Sequence, residues 1–197
     1  MALTATTKLE AVNLMLSTIG EAPVNSLTSG LVDAELAETI LASVSKAVQS
    51  EGWNFNTEKV FPFQPDASGH IILPANILRA DATAEADALD LVQRGLKMYD
   101  KKNHTYVISA TVNLDIIIEL EFEELPEVAR RYIALRSARV FQEQVVGSDT
   151  LNQFNRAEEF SAYSQLKDFE AESEDNSIYD NYSVYQVLDR TGSQRIT

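Results

Sequence analysis

Cysteine does not occur among the 197 residues, which removes disulfide frameworks, thiolate metal sites and thiol nucleophiles together. Histidine is nearly as scarce. His70 and His104 stand in separate segments with no HxH or HExxH neighbour, a poor basis for a metal centre. The chain has no GxxxxGK[ST], GxGxxG or GxSxG segment, so nucleotide hydrolysis, dinucleotide binding and esterase chemistry lose their usual support. Basic residues number 16 against 30 acidic ones, a net charge of -14. A surface of that sign argues against free association with nucleic acid or with an anionic membrane. Long apolar runs are missing too. The run AVNLMLSTI is broken by Asn13, Ser17 and Thr18 behind a thin positive region at Lys8, so it reads as neither a signal peptide nor a span. We expect no membrane insertion, a protein made and used in cytoplasm or in a particle, and accidental sequons at Asn103 and Asn181.

What is present is a foldable composition, 45% hydrophobic, in a length that suits one domain. Thr7 and Glu10 have capping-box spacing ahead of an amphipathic helix whose stripe is Leu9, Val12, Leu16 and Ile19; Gly20 and Pro23 end it. A second helix is expected from an N-cap at Asp33, striped by Leu36, Ile40, Val44 and Val48 and closed by Gly52. Trp53 and Phe55 then follow as supports where helices meet sheet.

From Trp53 onward the period changes from helical to alternating. Short strands are expected around Phe55–Phe63, HIILP, Ile77–Thr83, Leu89–Met98 and Tyr106–Ile108, with turns at Arg94-Gly95 and Lys101–Asn103. The clearest strand is Val112–Glu123, where Ile116, Ile118, Leu120 and Phe122 alternate with Ile117, Glu119, Glu121 and Glu123. The gaps are too short for crossover helices, so the sheet should be mainly antiparallel.

A third helix is expected from an N1 proline at Pro126 to Gly147, with apolar residues on more than one face. A fourth starts near Asp149 or Thr150. On it Leu151, Phe154, Ala162, Leu166 and Phe169 share a side, while Phe160 and Tyr163 project from another. Two explanations fit: a subunit interface in addition to a core, or two faces buried within one subunit. From Ser173 the chain is polar with Tyr179, Tyr182 and Tyr185 interleaved, a composition of unanchored termini and of segments that order against a partner.

The expected architecture is therefore α+β: a bundle of about four helices, two N-terminal and two C-terminal, with a small mainly antiparallel β-sheet subdomain inserted. Within a single domain, 1–197, the parts are the helical hairpin 1–52, the β subdomain 53–125, the helix pair 126–172 and the tail 173–197.

Two constellations carry possible chemistry. Glu119, Glu121 and Glu123 form a carboxylate ladder, and paired carboxylates are what glycoside hydrolysis needs; any exposed acidic strand gives the same spacing. Arg130, Arg131, Arg136 and Arg139 lie in one helix of an acidic chain. Helical geometry spreads them around the axis, which favours pairing with carboxylates such as Glu158 and Glu159, in the same or a neighbouring subunit, over a grip on DNA.

In order and spacing, IGEAPVNSL, SEGWNFN, LPANILRAD, RGLKMYD and ELPEVARRYIALRSARVFQ resemble the tail tubular protein A family of short-tailed bacteriophages, over roughly Leu9 to Glu172. The resemblance implies a structural virion protein without cofactor or metal, a head-to-tail adaptor located in the tail and assembled in the host cytoplasm. It implies a dodecameric ring between the portal and the tail nozzle protein, with a tail fibre as a further candidate partner, around a channel that DNA traverses without specific binding. Interface candidates under that reading are the four arginines, Phe160, Tyr163, Tyr179, Tyr182 and Tyr185; channel-lining candidates are Glu119, Glu121 and Glu123. Sugar-cleaving activity has been ascribed to some members, so the alternative is a tail-associated glycan hydrolase using the same three glutamates as catalytic residues.

Overall fold

The computed structural model describes residues 5–83 and 89–173, except the side chains of residues 149–151 and 154. The elements are α1 (Lys8–Thr18), α2 (Val32–Gln49), a 3-10 turn (Asn54–Asn56), β1 (Thr57–Phe63), β2 (Ile77–Ala82), β3 (Leu91–Arg94), β4 (Lys97–Asp100), β5 (Val112–Ile118), a second 3-10 turn (Phe122–Glu124), α3 (Glu127–Val145) and α4 (Asp149–Ser173). This is an α+β fold of four helices and a five-stranded antiparallel sheet.

Thr7 and Glu10 do close a capping box on α1: the Glu10 amide donates to the Thr7 hydroxyl at 3.2 Å and the Thr7 amide to the Glu10 carboxylate at 2.8 Å. The Thr7 backbone bond holds the Glu10 carboxyl below its usual pKa, as expected for an anion at a helix start. Val12 and Leu16 are buried as the stripe predicts, joined by Ala11 and Met15. Helix α2 departs from expectation at its start. Asp33 is not its N-cap; Leu31 holds that position with no side-chain bond, and Asp33 and Glu35 lie in the first turn, where their charge faces the positive helix end. Leu36 also misses the core, which takes Ala34, Ala37 and Leu41 beside Ile40, Val44 and Val48.

Helix α3 is the centre of the helical layer. It packs on α1, α2 and α4, which accounts for its apolar residues on several faces. Ala129, Tyr132, Ile133, Ala134, Ala138 and Phe141 are its buried members. Pro126 takes the N-cap position rather than N1.

The sheet order is β1-β5-β2-β3-β4, with β5 central between β1 and β2. The turn expected at Arg94-Gly95 closes a hairpin within Leu89–Met98: the chain turns through Gly95 and Leu96, with Arg94 paired to Lys97 and Gly95 at φ +61, so the stretch is two strands rather than one. HIILP and Tyr106–Ile108 form no strand; Ile72 makes only a single bridge to Lys97. The sheet has its own core, built on Ile71, Leu73, Ile77, Met98, Leu114 and Ile116.

The strand expected to run to Glu123 stops at Ile118. Two buried side chains take over the ladder there. Gln49, at the end of α2, accepts from the Leu120 amide at 2.8 Å and donates to the Leu120 carbonyl at 3.0 Å. Asn56 donates to the carbonyls of Gln49 and Ile118 at 3.0 and 2.9 Å and accepts from the Trp53 amide at 2.8 Å. Leu120 and Phe122 keep the alternation because they cross into the helical core. The three glutamates therefore do not form a ladder on a strand; Glu121 caps the 3-10 turn that contains Glu123.

Candidate assembly surface

The helical core and the sheet meet at Trp53. Its ring is buried, stacks on Phe55 with centroids 6.3 Å apart, meets Tyr163 edge-on at 6.5 Å, and carries the Lys167 ammonium 4.4 Å above it. Its indole N-H donates to the Val48 carbonyl at 2.8 Å. Helix α4 is thus fixed to the rest by Tyr163, by buried Ala162 and Leu166, and by Glu170, which accepts from the Asn54 amide at 2.6 Å.

That anchoring separates the two aromatic candidates on α4. Tyr163 is half-buried between Trp53 and Tyr132, 5.2 Å from the latter's ring. Phe160 points away and is 73% exposed. One helical turn before it, Arg156 is exposed. A 280 Å³ hollow bounded by Tyr132, Arg139, Arg156, Phe160 and Tyr163 lies at this face.

The arginines of α3 divide similarly. Arg130 donates to the backbone carbonyls of Leu125, Thr6 and Glu123, closing the start of α3 against the chain before α1. Arg136 donates to the Tyr132 hydroxyl at 3.1 Å and lies 3.7 Å from Glu51. Arg139 is clasped by Glu159 of α4 and by Glu143 at 2.9 Å, and the Glu159 bond raises its pKa above the ordinary arginine value. Pairing with Glu159 was the sequence expectation and is intramolecular here. Arg131 alone of the four is exposed. Tyr179, Tyr182 and Tyr185 lie outside the described residues, as do the side chains of Leu151 and Phe154.

Glu119 pairs with Lys46 at 3.4 Å, and Glu121 and Glu123 are exposed. Glu119, Glu121 and Lys8 border a 90 Å³ groove floored by Leu41, Leu120 and Phe122. A third, larger cleft of 410 Å³ opens where α4 ends beside the sheet, with Lys59 and Arg79 among its lining residues. Among the described residues no three His, Cys, Asp or Glu side chains are grouped to hold a metal ion, and no helix is long and apolar enough to cross a membrane.

Residues 9–176 match the family model described as tail tubular protein. The chain is also 31% identical over 160 residues to the tail tubular protein A of Klebsiella phage KP34, an alignment covering 81% of this chain and 83% of that protein. The chain belongs to the tail tubular protein family. It is a structural protein of a bacteriophage tail, and its place is the virion tail, where it assembles with other tail proteins. For a tail tubular protein the informative features are surfaces rather than a reaction centre. The sequence singled out Phe160 through its misfit to the apolar stripe; it missed Arg156 and the α2 groove, because a lone arginine and a groove between separate segments leave no periodic signal.

Proposed function

We propose that this tail tubular protein forms the head-to-tail adaptor ring, of twelve copies, that seats on the portal and receives the nozzle protein, leaving a central path for DNA. The observation that carries the reading is Phe160. A phenyl ring 73% exposed on the outer face of an anchored helix, beside a hollow and an exposed arginine, is what a protein–protein contact uses. Support also comes from the net charge of -14, because an acidic wall repels phosphates and lets DNA slide without sticking. The turn with Glu121, Glu123 and Glu124, all exposed, is a dense local source of that charge, and we place Glu123 toward the channel. The tyrosines Tyr179, Tyr182 and Tyr185 are assigned to partner contacts, with the portal, nozzle or fibre as surfaces.

A glycan hydrolase built on Glu119, Glu121 and Glu123 gains nothing from the geometry, since the strand spacing that suggested it ends at Ile118. The test of the adaptor reading is infection by phage that lack this protein. DNA-filled heads without nozzle protein, completed in extract by adding the purified chain, are expected. Complete tails formed without it would refute the reading.

A further inference from the structure

We infer that neighbouring copies join head to tail, with Phe160 of one copy entering the groove between α2 and the turn after β5 of the next. The inference rests on the ring reading and names the two surfaces that meet. The ring of Phe160 is outside the helical core, while Ala162 and Leu166 of the same helix are inside it. Arg156 lies four residues earlier, about 6 Å along the same helix face, so the projecting surface is an aromatic with a cation beside it.

Of the three hollows, charge selects one. The 410 Å³ cleft sets Lys59 and Arg79 against Glu51 and Glu170, and both carboxylates already have partners, Glu51 in Arg136 and Glu170 in the Asn54 amide, so it offers Arg156 no surplus of negative charge. The 280 Å³ hollow is formed by Phe160 and Arg156 themselves. The 90 Å³ groove has an apolar floor of Leu41, Leu120 and Phe122 and a rim of Glu119, Glu121 and Lys8; Lys8 is held by Glu38 and Glu119 by Lys46, which leaves the exposed Glu121 carboxylate as the complement of Arg156 beside an apolar floor for Phe160. A dry cavity of about 150 Å³ holds a whole benzene; a 90 Å³ groove admits the ring edge and leaves its base at the seam. Ala157 beside the knob and Ala42 in the groove are exposed and small, so the two helices can approach closely.

Position selects the same pairing. Helices α2 and α4 both pack on α3 and share almost nothing with each other, so knob and groove belong to different patches of one subunit. A contact between different patches repeats from copy to copy and closes into a ring when the rotation allows, whereas Phe160 against Phe160 would stop at a dimer.

Because the native chain has no cysteine, single substitutions report the contact directly. Ala157→Cys and Ala42→Cys proteins, each checked for native circular dichroism, are assembled on cognate portal rings separately and mixed, then treated with a short thiol cross-linker. The expected result is a cross-linked dimer only in the mixture, and a ladder of multimers from the doubly substituted chain. Rings of wild-type stoichiometry without that link, or a dimer from Ala157→Cys alone, would overturn the pairing while the ring reading stands. Failure of the wild-type protein to form any ring on the portal would overturn the ring reading itself. Independently, Arg156→Glu is expected to weaken ring incorporation about tenfold, and Glu121→Arg in the same chain to restore most of it. No recovery in the double variant counts against the proposal.

Discussion

Gly52 joins α2 to Trp53 with φ +80, and a Cβ there would lie 2.7 Å from the Ile117 side chain. The backbone therefore favours glycine, and a side chain here would also push the end of Ile117 aside. Gly52→Ala should destabilise the fold by about 1–3 kcal/mol, read from urea unfolding; an unchanged midpoint would show that the junction tolerates a side chain. Asp100 is a second small determinant. Burial of this carboxylate works to raise its pKa, but the Asn103 side chain at 2.6 Å and the amides of Asn103 and Lys102 outweigh it, and the net shift is downward. Asp66 is shifted down as well, by the His70 amide first. A depressed carboxyl contributes stability that is present above its unfolded pKa of about 4 and is lost as pH falls through the lower folded value. Thermal melts between pH 7 and pH 3 should show that loss on the acid side, and Asp100→Asn should flatten it. Equal slopes for the two proteins would remove Asp100 from the account. In the sequence Gly52 read only as a helix stop, and Asp100, beside the turn at Lys101–Asn103, carried no signal of its own.

Helix α1 was legible because capping box, stripe and terminal glycine agree, and α3 because its apolar residues had no single face, as a central helix requires. Strand β5 was legible in its body except at Ile117, which was placed on the acidic face and is buried, and it was misread at its end. Alternation continues through partly buried Leu120 and buried Phe122, yet both pack on the helical core instead of the sheet core, and residue pattern alone does not distinguish two cores. The start of α2 failed for a related reason: Asp33 suits a cap, but it is equally stable one position inside the helix, against the dipole. The element that ends β5 is the Gln49 side chain, which pairs both backbone groups of Leu120 from inside the structure. Gln49→Ala should cost about 1–3 kcal/mol by stranding those groups, and hydrogen exchange should quicken at Leu120. An exchange rate equal to wild type would mean that another partner closes the junction.

For the molecule as a whole, a helical core that includes Trp53 and a separate sheet core are linked through Gln49 and Asn56, and the outward features are Phe160 on α4, the groove at α2 and the acidic turn after β5. Family membership was readable because whole segments, helix ends and turns included, recur in order, whereas the pairing of surfaces needed three dimensions. If Glu123 faces the channel, Glu123→Lys inverts one wall charge per subunit and should slow genome ejection at low salt, with recovery as salt screens the attraction. Ejection unaffected at low salt would move Glu123 off the channel. The adaptor claim itself is tested most directly by the mass of the purified protein in light scattering, alone and after mixing with its cognate portal ring. The account predicts that the chain adds to the portal at one fixed stoichiometry, to give a single species whose mass increment corresponds to about twelve copies. Masses that remain the sum of two independent populations at every concentration would contradict it.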